Sequence, residues 1–248
     1  MSVLSDSARV AWIDIRFIRG NLPVVLVTSL VAPLLYLFAF GYGLGKGMVV
    51  DGHDYLSFMI PGIIAMSTLT ACFNTVATKV MLQRTYYQSF DELFLCSMRP
   101  SSIILGKAYA GVVRGLISCT VLYSIGLVVA PDIALSVPAV MMMVFSCVMY
   151  SILGVVSGMI ANSHLTMNLF TSLVILPMTF LCGTIFSLDN IGGVAQDLIS
   201  LLPLTHTTEC MRAVMIGDPF PWASFAILML WSLLFFAVSR HILVKGRS

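Results

Sequence analysis

Side chains that could perform chemistry are few in this sequence, and their spacing argues against catalysis. Its histidines lie in different segments without metal-ligand spacing; they are His53, His164, His206 and His241. The 6 cysteines include no C-x-x-C pair. We expect small buried thiols rather than a disulfide framework or a metal site. Neither H-E-x-x-H nor G-x-S-x-G occurs, so the sequence gives no sign of an enzyme's active site.

A glycine-rich segment, Gly41–Lys46, resembles a phosphate-binding loop only superficially. That loop requires the spacing G-x-x-x-x-G-K-[ST]. Here Phe40 occupies the first glycine position and Gly47 the Ser/Thr position. We therefore predict a flexible hinge and no cofactor on this chain.

Arg114 is the one charged residue well inside an apolar stretch of the sequence. An arginine at membrane depth is costly, and it is a functional candidate for that reason. The structural alternative is a side chain that extends to the inner interface or pairs with a helix end. The sequence leaves both interpretations open.

These residues must be positioned by membrane-spanning helices. Apolar types make up 59% of the 248 residues, charged types only 10%, and the mean hydropathy is +1.00. A water-soluble domain carries about 25% charged residues, so lipid must be the main solvent. Six stretches are long enough to span a bilayer: Leu22–Tyr42, Leu56–Thr78, Ile103–Val129, Val137–Ile160, Thr166–Phe186 and Trp222–Leu243. The fourth and fifth are separated only by a break at Asn162-Ser163-His164.

Positive charge sets the predicted orientation. Basic residues near membrane helices stay in the cytoplasm. Ten of the 13 basic residues fall on one side: Arg9, Arg16, Arg19, Lys79, Arg84, Arg99, Lys107, Arg240, Lys245 and Arg247. We therefore predict a multi-pass protein of the cell (plasma or inner) membrane with both termini in the cytoplasm.

Three segments outside the spans carry further information. Asp6–Gly20 mixes arginines with apolar residues and predicts an interfacial helix, with a frayed leader as the alternative. In the cytoplasmic loop Lys79–Ser102, an amphipathic stripe with two adjacent acids comprises Tyr86, Phe90, Asp91, Glu92 and Leu93. This stripe suits docking on a partner or packing flat against its own bundle. The outer segment Ser187–Pro221 fits a re-entrant hairpin that bends at Pro203.

Prolines and glycines inside the spans predict local geometry. Pro33 and Pro177 lie within spans and should kink them. The pairs Gly111-x-x-x-Gly115 and Gly154-x-x-x-Gly158 would allow close approach of helices, with chance occurrence as the alternative.

Several runs resemble a known family. Asp54–Ser67, followed by Phe73-Asn74, resembles the second span of ABC-2 type permeases. Phe90-Asp-Glu-Leu93, with Pro100–Lys107 and Arg114-Gly115, is similar to that family's cytoplasmic loop and third span. Leu202–His206, with Arg212 and Gly217, resembles the outer segment of nodulation-factor (lipo-oligosaccharide) export permeases. Cys96-Ser-Met-Arg99 departs from the family pattern, where a small apolar-Pro stretch is common.

The resemblance implies a single all-α ABC-2 transmembrane domain over residues 1–248. It implies a permease subunit of an ATP-driven exporter that moves a lipid-linked oligosaccharide, a glycolipid or a drug. A separate ATPase subunit, which binds ATP and Mg, would dock on the coupling helix at Tyr86–Leu93, and a second permease copy would complete a homodimer. The alternatives are an intramembrane lipid-processing enzyme and a non-transporting scaffold.

Two groups of site residues follow from these expectations. The intramembrane or gate candidates are Arg114, Pro203, His206 and Arg212. The aromatic candidates for a substrate path are Tyr36, Phe40, Phe73 and Phe180, with ordinary packing or lipid contact as the alternative.

Overall fold

A computed structural model describes residues 3–39, 49–50, 52–88, 99–130, 132–183 and 199–245. Its helices are α1 (Val3–Gly20), α2 (Leu22–Tyr36), α3 (Tyr55–Thr85), α4 (Pro100–Val129), α5 (Val137–Ile160), α6 (His164–Phe170), α7 (Leu176–Leu181), α8 (Pro203–Arg212) and α9 (Trp222–Lys245). The π-helical turns Thr171–Ile175 and Ala213–Gly217 follow α6 and α8. A small antiparallel hairpin, β1 (Val49–Val50) and β2 (His53–Asp54), precedes α3.

Six helical segments in the described residues are long and apolar enough to cross a membrane, which confirms the predicted all-α polytopic fold. They are Leu22–Ala39, Tyr55–Thr85, Pro100–Val129, Val137–Ile160, His164–Leu181 and Trp222–Lys245. The longest, α3, has 31 residues and extends about 46 Å at 1.5 Å per residue. It therefore exceeds the roughly 30 Å hydrocarbon core of a bilayer.

The helices α3 and α5 form the centre of the bundle. In their most apolar windows, 83% and 72% of residues are buried, against 17% in both the α2 and the α6–α7 segments. Small residues permit this close packing. A Cβ atom added at Gly111 would lie 2.5 Å from Val76 Cγ2, and one at Gly158 would lie 2.7 Å from the carbonyl oxygen of Ala77. The predicted close approach at both glycine pairs is thus confirmed.

The first helix, α1, packs along the N-terminal half of α4. Its inner face buries Ala11 and Asp14, while Arg9, Trp12 and Arg16 are exposed on the opposite face. These two sets follow the 3.6-residue period, because residues three, four and seven apart share a helical face. The amphipathic helix predicted for this segment is therefore present.

The predicted kinks coincide with irregular turns. Pro177 lies just after the π-helical turn Thr171–Ile175, and Pro33 lies near the end of α2, where π-type turns continue to Ala39. Proline removes a backbone donor and clashes with the carbonyl four residues before it, so the ladder of hydrogen bonds loosens there.

The cytoplasmic loop differs from its prediction at its start. The helix α3 continues to Thr85, seven residues beyond the predicted end of the span, and Tyr86 is its C-terminal cap. Gln88 then has a φ of 51°. Because this left-handed conformation interrupts a helix, Tyr86 belongs to the end of α3 and not to a new helix. The other stripe residues, Phe90, Asp91, Glu92 and Leu93, lie outside the described residues, as do Phe40 and the Gly41–Lys46 hinge.

The described part of the outer segment supports one limb of the predicted hairpin. Leu202 is extended, and Pro203 opens α8 at its first turn, a position that suits proline because no helical donor is lost. Eight of the residues in α8 are buried. The bend predicted at Pro203 is present, and residues 184–198 lie outside the description.

Candidate functional site

A groove runs along α3 between α2, α4 and α7. It consists of two cavities of about 370 Å³ and 520 Å³ that share the side chains of Asn74 and Arg114. The first is lined by Thr28, Ser29, Ala32, Pro33, Tyr36, Met66, Ser67, Thr70, Ala71, Asn74, Arg114, Leu176, Thr179 and Phe180. The second is lined by Val25, Asn74, Thr75, Thr78, Lys79, Leu82, Tyr87, Ala110 and Arg114. We call the two together the Arg114 groove.

Arg114 lies at the junction of the two cavities and halfway along its helix. It is 14 residues from Pro100 and 15 from Val129, about 21 Å from either end at 1.5 Å per residue. Its Nε donates to Ser29 Oγ at 3.0 Å, and its Nη2 donates to Thr28 Oγ1 at 2.8 Å. The arginine therefore holds α2 against the bundle at mid-height and does not extend to a helix end.

Hydroxyl groups continue this polar layer across three helices. Thr28 Oγ1 donates to the carbonyl of Val24 at 2.8 Å, so its lone pairs can accept from Arg114. Ser118 on α4 shares a 2.9 Å hydrogen bond with Ser67 on α3 and donates to the carbonyl of Ser29 at 3.5 Å. In an apolar bundle such bonds fix the positions of neighbouring helices.

A stripe on α3 supplies much of the groove wall. Met66, Thr70, Asn74 and Thr78 recur every four residues, and all four line the groove. Their side chains are exposed or half-buried. This stripe was not predicted, although the four-residue spacing of polar types in a spanning helix was a signal that the sequence contained.

The aromatic candidates separate into different environments. Tyr36 and Phe180 both line the first cavity, together with the gate candidate Arg114. Phe73 is completely buried and stacks on Phe170 with ring centroids 5.8 Å apart, so it packs in the core. The structure also adds Tyr87, which lines the second cavity.

The basic end of α3, at Lys79–Thr85, is tied to both neighbouring helices. Lys79 Nζ lies 2.5 Å from Asp14 Oδ1 on α1, and the Asp14 side chain is only 2% exposed. Lys107 Nζ on α4 donates to Gln83 Oε1 at 2.7 Å. Arg84 donates to the side chain of Asn162 at the turn before α6. These contacts fix the two helix ends that flank the cytoplasmic loop.

At the opposite end, Arg212 fastens α8 to α3. Its Nε donates to the carbonyl of Phe58 at 3.3 Å, and its Nη2 donates to the carbonyl of Gly183 at 3.1 Å. The guanidinium also lies 3.6 Å from the centre of the Phe58 ring, a favourable cation–π geometry. This gate candidate therefore joins the outer segment to the central helix.

His206, the other gate candidate on α8, lies beside Glu209. Its Nε2 lies 2.7 Å from the carbonyl oxygen of Ser200, and its Nδ1 lies 3.6 Å from Glu209 Oε2. Ser224 Oγ of α9 donates to the same carboxylate at 2.6 Å. Burial alone raises the pKa of Glu209, but the nearby imidazole of His206, the hydrogen bond from Ser224 and the charge of Arg212 outweigh burial and lower it overall.

The described residues contain no group of three His, Cys, Asp or Glu side chains that could hold a metal ion. The cysteines in this part, Cys72, Cys119, Cys147, Cys182 and Cys210, are all buried. The polar groups of the groove are hydroxyls, amides and two cations, which suit binding rather than bond cleavage.

Six helical segments in the described residues are long and apolar enough to cross a membrane, which defines a multi-pass membrane protein. The family described as "ABC-2 type transporter" matches residues 10–216. This chain belongs to that family, as the resemblance implied, and it is a transmembrane transport subunit.

Individual relatives agree with this assignment. Nodulation protein J of Rhizobium leguminosarum bv. trifolii is 32% identical over 211 residues, covering 78% of this chain and 75% of that protein. Nodulation protein J of Rhizobium meliloti (strain 1021) is 30% identical over 208 residues, with 78% and 75% covered. Inner membrane transport permease YadH of Escherichia coli (strain K12) is 26% identical over 240 residues, with 94% and 91% covered.

Proposed function

We propose that this chain is the permease subunit of an ATP-driven exporter and moves an amphiphilic substrate out of the cytoplasm or the inner leaflet. The substrate classes are a lipid-linked oligosaccharide, a glycolipid or a drug. The observation that carries this proposal is the Arg114 groove, where hydroxyl and amide groups face aromatic and apolar side chains along one helix. Such a surface can bind a polar head while an apolar tail stays in lipid.

ATP hydrolysis takes place on a separate ATPase subunit, which binds ATP and Mg. That subunit docks on the cytoplasmic loop through Tyr86, Phe90, Asp91, Glu92 and Leu93. Tyr86 and Tyr87 support this site, because their side chains are 79% and 68% exposed at the end of α3. Exposed aromatic side chains are frequent anchors in protein interfaces.

A second copy of the chain covers the open side of the groove. The flanking helices α2 and α7 present apolar side chains to the outside, among them Val27, Leu35 and Leu176. Pairing of two copies along these helices encloses the groove between them and converts it into a path. Both termini then lie in the cytoplasm with the ATPase, and α8, held by Arg212, His206 and Pro203, closes the outer end.

Co-expression with a cognate ATPase subunit tests the proposal. We expect the two proteins to co-purify in lipid nanodiscs and to show ATP-dependent transport in vesicles. The variants Tyr86→Ala and Phe90→Ala should lower both, whereas Trp12→Ala, an exposed aromatic change on α1, is the matched control. The proposal fails if no ATPase co-purifies and both loop variants transport like the wild type.

A further inference from the structure

Arg114 carries a positive charge that the described protein residues do not neutralise. Its hydrogen bonds go to the neutral hydroxyls of Thr28 and Ser29. No Asp or Glu is among the described residues that line either cavity of the groove. Two bonds use two of the five donors of a guanidinium, and three are left without a partner in the described chain.

The position of Arg114 makes this charge expensive. It lies halfway along α4, where a bilayer offers no water to compensate it. Hydroxyls stabilise a guanidinium through single hydrogen bonds, but an oxyanion adds charge neutralisation and accepts two parallel bonds. An anionic ligand is therefore the group that this site lacks.

We propose that Arg114 binds the anionic group, a phosphate, sulfate or carboxylate, of the transported amphiphile. The identification of this ligand as the transported substrate rests on the proposed function. The remaining wall suits the rest of such a head group, because Ser67, Thr70 and Asn74 can hydrogen-bond sugar or ester oxygens. Tyr36 and Phe180 offer aromatic surface to a sugar ring or the start of a tail.

The size and charge of the groove narrow the substrate classes. Each cavity, at about 370 Å³ and 520 Å³, falls in the range of roughly 300–1,000 Å³ that holds small ligands. Like charges repel, so a cationic drug is disfavoured beside Arg114. The site selects an anionic lipid-linked sugar or glycolipid over a cationic compound.

Binding to the purified permease tests the anion site without any ATPase. The probes are fluorescent lysophosphatidic acid, an uncharged monoacylglycerol with the same acyl chain, and dodecyltrimethylammonium, measured by anisotropy or competition in phosphatidylcholine nanodiscs. We expect the wild type to bind the anionic probe at least about tenfold more tightly than the other two. Arg114→Gln should weaken that binding roughly tenfold to a hundredfold, the range for a charge-assisted hydrogen bond, and leave binding of the monoacylglycerol unchanged.

Two further variants separate charge recognition from folding. Arg114→Lys retains the charge but not the fork of donors, so it should retain part of the preference for the anionic probe. Arg240→Gln removes one exposed positive charge from α9 and should bind like the wild type. Equal affinity of the wild type for the anionic and the uncharged probe overturns the proposal even if Arg114→Gln does not fold, and so does an equal loss in Arg240→Gln.

A transport measurement distinguishes cargo from an ordinary membrane lipid. In vesicles with the ATPase, ATP-dependent movement of the anionic probe that is lost in Arg114→Gln supports cargo. Anion-selective binding without ATP-driven movement of any probe overturns the export proposal and the cargo assignment but leaves the anion site. Transport that proceeds without anion selectivity overturns the anion site alone.

Discussion

Removal of the Asp14 carboxylate should destabilise the protein, because it leaves the positive charge of Lys79 without this carboxylate. Asp14 is 2% exposed, and its Oδ1 lies 2.5 Å from Lys79 Nζ. Breaking a buried ion pair on one side costs about 3–5 kcal/mol. Two features reduce this figure: the Lys79 side chain is 30% exposed, and Asp14 Oδ2 is buried without a hydrogen-bond partner among the described residues. We therefore expect Asp14→Ala to cost about 2 kcal/mol.

A chain of this size loses roughly 2–4 °C of Tm for each kcal/mol, so Asp14→Ala should lower Tm by about 4–8 °C. The buried thiols of Cys72, Cys119, Cys147 and Cys210 offer a direct assay, because a thiol-reactive fluorescent dye labels them only on unfolding. The double variant Asp14→Leu with Lys79→Met replaces both charges by apolar groups and should recover most of the loss. Arg16→Gln, on the exposed face of α1, is the control.

Two results would refute this reasoning. One is an Asp14→Ala protein with the Tm of the wild type, which would mean that α1 is not held by the ion pair. The other is a double variant that loses more than the single variant, which would mean that the buried charges stabilise beyond their cost of desolvation.

Two further predictions concern helix packing and pH. Gly158→Val should lower the free energy of unfolding by about 1–3 kcal/mol, since a Cβ there lies 2.7 Å from the Ala77 carbonyl oxygen and overpacking forces the helices apart. The control is Gly20→Val, where nothing lies within 4 Å, and it should keep the wild-type Tm. Equal Tm values for both variants would contradict the argument. The pKa of Glu209 lies below its ordinary 4.5, so its ionised form stabilises the fold above that pH and the gain disappears as pH falls through the lowered pKa. The Tm advantage of wild type over Glu209→Gln should therefore stay level from pH 7 down to about 4.5 and shrink as the pH falls further. An advantage that grows on acidification would show that the hydrogen bond from Ser224 does not favour the carboxylate.

Hydropathy predicted the six spans because lipid imposes one strong requirement, a run of about 20 apolar residues with internal hydrogen bonds. The same rule misplaced the end of α3. Lys79 and Arg84 look like loop residues, yet α3 continues through both to Thr85. Their side chains find partners in Asp14 and Asn162, which are distant in sequence and meet only in the folded chain.

Only part of the candidate site could be predicted, because its residues too are distant in sequence and meet only in the folded chain. Arg114 could be predicted because a charge in an apolar stretch is rare. Tyr36 and Phe180 were predicted only because they are aromatic residues within spans, and the sequence did not indicate that they lie near Arg114. Threonine and asparagine carry no such signal in single positions. Thr70 and Asn74 line the groove because α2 and α7 leave that face of α3 open, and this arrangement exists only in the folded chain.

One helix connects all three parts of the molecule that the proposed transport cycle requires. The helix α3 holds the basic end through Lys79, the groove through Asn74 and the outer segment through Phe58. Residues 58 and 79 are separated by about 32 Å at 1.5 Å per residue, and most of the side chains between them are buried. A packed helix moves as a rigid body, so we expect a displacement that the proposed ATPase imposes at Lys79 to reach the groove at Asn74. Pro61, which removes a backbone donor inside α3, lies between the groove and Phe58. We therefore expect the basic end and the groove to respond together, with the outer segment joined to them across this proline.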